Sequence, residues 1–341
     1  MNREGPLLQS WLLWSVAYYL YYPFLSIYLS SFIQEDKLSL VYAIFQAISL
    51  PYAMLGAKLY WKNKIMPIII GMLFAGVGLI LLPFSTNLIS IIICMSINYM
   101  FFLSLPSYYS LMAEIGEGVI TRIWSLSILP SIIMPSIGGI IAQYTSLRLL
   151  FIISGIIFSL SFLPMLKFKP INNNANYRVK TKLDIKIIFI PILTLPIAMA
   201  FPYIYLAIYT NFNLSKDQVG VIATIAEILG MGLSYLASKF IKEKKYLLSL
   251  SLILFSLIVF YSFSPAMAIF FGAWEAIIPL TLEYFPSRKS PEDFAIINIM
   301  QGLGWIMGYI VDYTLGNINL LLVSSGIIAF LSACVILISK K

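Results

Sequence analysis

Of the 341 residues, 60% are hydrophobic and only 11% are charged, where a soluble domain carries roughly 25% charge; a water-soluble globule of this length is excluded. The net charge of +8 would suit a nucleic-acid partner in amount, though not in placement. Histidine is absent from the sequence, which removes Ser–His and Cys–His nucleophiles and the usual zinc sites. Cys94 and Cys334 each sit alone in an apolar run, so neither a metal nor another cofactor is expected.

Apolar runs fall at about 7–33, 38–57, 65–83, 87–110, 124–144, 148–166, 187–210, 218–238, 246–264, 266–282, 294–314 and 318–338. A hydrocarbon core about 30 Å thick takes roughly 20 apolar residues per helical crossing. Each run is therefore predicted to be one transmembrane helix. The first lacks a small-residue cleavage site and reads as a retained span, not a signal peptide. With both termini in the cytoplasm, nineteen of the 22 Lys and Arg residues fall in cytoplasmic segments, leaving Lys37, Arg148 and Lys216 outside. Basic residues flanking a span are held in the cytoplasm during insertion. This pattern predicts the span count and the orientation, and points to the plasma membrane. Positive charge spread over seven short segments on one membrane face is no nucleic-acid surface.

One long polar stretch, 167–186, contains Asn172-Asn173-Asn174 and reads as a flexible cytoplasmic linker. It separates a six-helix bundle at 1–166 from a second at 187–341. The expected fold is an all-α polytopic membrane protein of 12 transmembrane helices in two pseudo-symmetric bundles. At an offset of 181 residues, Ile27-Tyr28 matches Ile208-Tyr209, Asp36 matches Asp217, and Lys58 and Lys64 match Lys239 and Lys245. A parallel repeat of this kind puts a solute site near mid-membrane between its halves.

In chain order, the first run carries Tyr18 and Tyr22 one turn apart, placed either to stack on a solute or to pack the core. Gln46 shares a helical stripe with Ser39, Tyr42, Ala43, Ser49 and Ala53; the 181 offset carries it onto Glu227. Asn98 is a further candidate for the cavity wall. An acidic residue at the bilayer centre costs roughly 2.5–3.5 kcal/mol on insertion scales, and two runs carry one, Glu227 and Glu275. Glu227 lies on a small, polar stripe with Gly220, Ala223, Thr224, Gly230 and Ser234, a face suited to protein or a water-filled cavity and not to lipid. Either carboxyl could couple solute movement to protons; each could equally be a neutral, hydrogen-bonded link between helices. Asn298, Gln301, Trp305, Gly308 and Asp312 form one polar-aromatic face at steps of three and four, for which solute lining is the favoured reading. Prolines inside the runs (Pro23, Pro51, Pro106, Pro130, Pro135, Pro196, Pro202 and Pro279) predict kinks.

The six-linker-six layout resembles the major facilitator superfamily over essentially the whole chain. The turn Gly56-Ala57-Lys58-Leu59-Tyr60-Trp61-Lys62-Asn63-Lys64 stands where that family has a glycine-aspartate-basic loop, with Tyr60 near the aspartate's place. Pro130 to Gly139 resembles the end of the family's fifth-span motif, with Met134 replacing a glycine; its Pro135, Gly138 and Gly139 are expected to serve helix packing and gating, as is Gly56. Tyr22-Pro23-Phe24-Leu25-Ser26-Ile27-Tyr28-Leu29 is similar to first spans of some sugar and nucleoside carriers. The resemblance implies alternating access by rocking of two halves around a central site.

The expected function is a secondary transporter of a small organic solute, acting as a monomer in a lipid bilayer. Coupling to protons and passive movement both stay open. The alternatives are a non-transporting sensor or assembly factor on the same scaffold, and a membrane-embedded enzyme, for which no histidine and no large loop is present.

Overall fold

A computed structural model describes residues 4–169, 185–240, 244–284 and 290–338; for residues 128–131, 185–186 and 283–284 it describes the backbone alone. Most of the expected linker, including Asn174, lies outside the described residues, as does the side chain of Pro130. Eleven helices among the described residues are long and apolar enough to cross a membrane. They correspond to eleven of the twelve apolar runs. The remaining run, the fifth, is a helix broken in two: α6 (Val119–Ser131) and α7 (Met134–Tyr144). Pro135 stands in the first turn of α7, where its missing N–H is no loss.

The other helices, in chain order, are α1 (Glu4–Leu29), α2 (Leu38–Tyr60), α3 (Met66–Leu81), α4 (Leu88–Asn98), α5 (Phe101–Ile115), α8 (Leu147–Leu160), α9 (Ile190–Ala200), α10 (Ile204–Asn211), α11 (Lys216–Lys239), α12 (Lys244–Ser256), α13 (Trp274–Tyr284), α14 (Pro291–Leu315) and α15 (Ile318–Ile338). Several runs are not continuous α-helix. The fourth breaks at Tyr99-Met100 and the seventh at Phe201 to Tyr203, next to Pro202. The tenth opens with tighter 3-10 turns, Pro265–Ala273, before α13. By contrast, α1 runs unbroken through Pro23. Irregular backbone at membrane depth survives only where protein or a water-filled cavity satisfies its polar groups, and these breaks fall beside the central cavity.

The sequence repeat has a packing counterpart. Between the first six and last six runs, the main contacts are α2 on α14 and α6 and α7 on α11. The second run thus packs on the eleventh, and the fifth on the eighth. The 181 offset exchanges these two pairs, so one kind of interface is built twice. Close approach of α7 and α11 depends on small residues: an added Cβ at Gly139 would lie 2.6 Å from the Lys216 carbonyl oxygen, and one at Gly220 would lie 2.4 Å from that of Pro135. Ser136 and Thr224 hydroxyls bond across this seam at 2.7 Å. Gly138 meets α1 at Leu20, and Gly56 meets α5 at Leu103.

Ion pairs mark one end of the bundle. Lys64 Nζ pairs with Glu114 at 2.7 Å, Arg122 with Glu4 at 2.8 Å, and Lys244 with Glu117 at 3.5 Å. Tyr60 also donates to Glu114, at 2.7 Å, so the tyrosine standing near the family's aspartate shares a carboxylate with a lysine. At this basic end, the Trp61 indole N–H donates to Glu292 across the two sets of six helices. At the opposite end, the Tyr203 hydroxyl accepts from the Ser39 amide and donates to the Glu35 carbonyl, both at 3.2 Å. Hydrogen bonds thus tie the two sets together at both ends.

Candidate functional site

Between these ties lies a cavity of about 120 Å³. Its walls come from α1, α2, α4, α5, α6, α13 and α14, together with Tyr99 and Phe201 at the helix breaks. Aromatic side chains dominate. On α1, Trp14, Tyr18 and Tyr22 are spaced by four residues, and the helical repeat stacks them into a ladder. Trp14 and Tyr18 lie 5.3 Å apart at 13°, and Tyr18 and Tyr22 lie 5.0 Å apart at 4°. Phe201 continues the stack at 6.1 Å and 26°. Trp274 stands across the ladder, 6.5 Å from both Tyr18 and Tyr22 at 61° and 64°. Trp305 meets Phe201 edge to face at 5.1 Å.

Besides tyrosine and tryptophan side chains, the polar lining is three carboxamides, Gln46, Asn98 and Gln301. Among the described lining residues none is charged. Gln46 donates to Ser49 Oγ at 2.8 Å, Asn98 to the Ala75 carbonyl at 3.0 Å, and Gln301 to Thr281 Oγ1 at 2.7 Å.

Two carboxyls stand one side chain behind the wall. Glu227 on α11 accepts from the Tyr22 hydroxyl at 2.5 Å, and that hydroxyl shares a second bond with Tyr205 at 3.0 Å. Glu275 on α13 accepts from the Trp124 indole N–H at 2.8 Å, and the Tyr19 hydroxyl faces it. Both carboxyls are fully buried. Each leaves one oxygen without a partner, and none of the ion pairs among the described residues involves either. They are brought near one another because α11 and the tenth run cross at glycine: a Cβ at Gly230 would lie 2.7 Å from Glu275 Cβ, and one at Gly272 would lie 1.9 Å from the Ala226 carbonyl oxygen. The Ser234 hydroxyl ties the same crossing, donating to the Glu275 carbonyl at 2.7 Å.

Of the residues singled out from sequence, Tyr18, Tyr22, Gln46, Asn98, Gln301 and Trp305 share this one cavity. Asn298 does not; it is buried elsewhere on α14 with its amide nitrogen unpartnered. Glu227 and Glu275 touch the cavity only through Tyr22 and Trp124. A third acidic residue joins the two counted from sequence: Asp312, on the predicted polar face of α14, is buried with neither oxygen partnered, within electrostatic reach of Tyr203 and Tyr309. Among the aromatic lining residues, sequence reasoning missed Trp14, Tyr21, Tyr99, Phe101, Phe102, Tyr109, Trp124, Phe201, Trp274 and Tyr309. Only Trp14 gave a signal, as the first step of a three-ring spacing with Tyr18 and Tyr22.

Apolar helices long enough to cross a membrane, packed around an aromatic-lined cavity, define a polytopic membrane protein. The family model of the Major Facilitator Superfamily matches residues 119–309, more than half of the chain. This chain belongs to the major facilitator superfamily, and it is a multi-pass membrane transporter and not an enzyme. No curated protein sequence matches it. In fold it is similar to the crystal structure of the human organic anion transporter MFSD10 (TETRAN), with a TM-score of 0.74 at 9% identity over 98% of each chain.

Proposed function

We propose that this transporter moves a small organic solute by alternating access, the bundles 1–166 and 187–341 rocking about the central cavity, with Glu227 and Glu275 coupling the movement to protons. The observation that carries this reading is the placement of two buried carboxyls directly behind cavity-lining side chains. A solute that displaces the Tyr22 hydroxyl or tilts the Trp124 ring removes the hydrogen bond that holds a carboxyl, and so changes which charge state the site can bear. The stack, the carboxamides and the helix breaks then position the solute; the ties at the two ends open in turn. In the cell membrane the basic end faces the cytoplasm, and the protein acts as a monomer.

An organic anion, the cargo named for the structural neighbour, is not carried over to this chain. The described lining offers no Lys or Arg to receive one.

The test is uptake into proteoliposomes with and without an imposed proton gradient. Solute accumulation driven by the gradient is expected for the native chain. Glu227→Gln and Glu275→Gln should each lower gradient-driven accumulation at least tenfold while keeping downhill exchange. Accumulation that persists unchanged in the double variant removes the proton role and leaves transport standing.

A further inference from the structure

Glu227 and Glu275 each accept a hydrogen bond, whereas Asp312, 1% exposed, has neither oxygen partnered. A buried acceptor with no donor bears the full desolvation cost of the group, and a second arrangement that supplies a donor relieves it. The packing of α14 on α9 shows where that donor is. The two helices run side by side in register: a Cβ at Gly304 would meet Pro191 and Thr194, and one at Gly308 would meet Leu195, Ala198 and Met199. One turn further on, the same register sets Asp312 beside the break at Phe201 to Tyr203. The Tyr203 hydroxyl is within electrostatic reach of Asp312. In the structure it is used elsewhere, accepting from the Ser39 amide and donating to the Glu35 carbonyl, both at 3.2 Å. That is long for a hydroxyl donor, whose bonds centre near 2.7–2.8 Å, so the tie is a weak one.

Resting on the reading that the two bundles rock, we propose that Asp312 is a gating residue: the Tyr203 hydroxyl turns to its carboxyl when the bundles part at the end opposite the ion pairs. Glu35 and Ser39 belong to the first six helices, Tyr203 and Asp312 to the last six. Parting therefore breaks the bonds that Tyr203 now makes and keeps it together with Asp312. Asp36, the other acid within reach of Tyr203, leaves with Glu35. The break favours the turn, because Pro202 has no N–H for the Ala198 carbonyl and the segment carrying Tyr203 is held by fewer backbone bonds. The exchange needs no charge on Asp312, since a carboxyl accepts in either protonation state. The present arrangement leaves this acid unsatisfied and the parted one satisfies it, and that difference draws the equilibrium toward opening.

The test uses the full-length protein in sealed proteoliposomes, with Cys94 and Cys334 replaced by alanine and one cysteine placed at the cavity-lining Leu25. A membrane-impermeant thiol reagent is applied from the compartment that labels a cysteine at Lys37. Asp312→Leu should slow labelling roughly fivefold, the effect of one hydrogen bond, while leaving the melting temperature unchanged or raised. Asp312→Asn keeps an acceptor and should stay within about twofold of the native rate. In a Tyr203→Phe background, Asp312→Leu should change the rate less than about twofold. Asp312→Ala repeats the labelling where the leucine variant fails to fold. Unaltered labelling in Asp312→Leu overturns the exchange, as do equal slowing with and without the Tyr203 hydroxyl, an asparagine variant as slow as the leucine one, or a lowered melting temperature in Asp312→Leu. Any of these leaves alternating access standing if the Leu25 cysteine reacts from both compartments; a cysteine that reacts from neither sinks both readings.

Discussion

At the level of single residues, two tyrosine hydroxyls with similar burial have different roles. Tyr108 bonds Ser10 Oγ at 2.5 Å, and Ser10 in turn donates to the Ser161 carbonyl at 2.6 Å. This is structural cross-bracing by side chains that do not line the cavity. Tyr108→Phe should cost about 1 kcal/mol of stability, read as a lower melting temperature in detergent, with transport per folded molecule unchanged. Tyr22 keeps its ring in the ladder if changed to Phe, but Glu227 then loses its donor. Tyr22→Phe should cost a similar amount of stability and, unlike Tyr108→Phe, alter the pH profile of uptake. A Tyr22→Phe profile identical to that of the native chain would separate Glu227 from the transport cycle.

At the level of elements, the seam between α7 and α11 depends on backbone approach. A methyl at Gly139 meets the Lys216 carbonyl oxygen and cannot be accommodated by rotating a side chain. Gly139→Ala should push the helices apart at the end opposite the ion pairs, costing about 1–3 kcal/mol as overpacking does. Labelling of a cysteine placed at Trp305 should then become faster from that side; unaltered labelling would mean that the seam is not a gate. Helix breaks have a related logic. Prolines were expected to kink the spans, yet α1 passes through Pro23 while the seventh run opens at Pro202. Proline removes one hydrogen bond wherever it sits, and whether the helix breaks depends on whether neighbours and a cavity can take up the freed groups.

For the whole molecule, contact at the basic end between the first and last six helices is made by the Trp61–Glu292 hydrogen bond and by the ring contact of Tyr109 with Phe294 at 5.7 Å. Trp61→Phe removes the donor and keeps most of the apolar contact. Loss of one such bond, about 1 kcal/mol, should shift the opening equilibrium roughly fivefold, seen as faster modification of a cysteine at Gln301 from the basic side. The orientation can be checked on the same preparation: cysteines at Lys62 and Lys244 should react from one compartment, and those at Lys37 and Lys216 from the other.

The number of spans, the alternation of basic segments and the relation between the first and last six helices can be read from residue order because lipid imposes one-dimensional rules: a minimum apolar length and a penalty for burying charge. The same rules brought out Glu227, Glu275 and the Gln46 and Gln301 stripes, since a polar residue in an apolar run has few explanations. Membership of the cavity wall followed no such rule. In chains this rich in aromatics, Phe201 and Trp274 have the same character in sequence as rings that face lipid; helix breaks at mid-membrane and the glycine crossing of α11 brought them together with residues over 150 positions earlier in the chain. For the same reason only the packed structure separates Gln301, at the wall, from Asn298 one turn before it, and places the carboxyls behind the wall and not on it: helical periodicity picks out a face, but which neighbour covers each part of that face depends on contacts between distant segments.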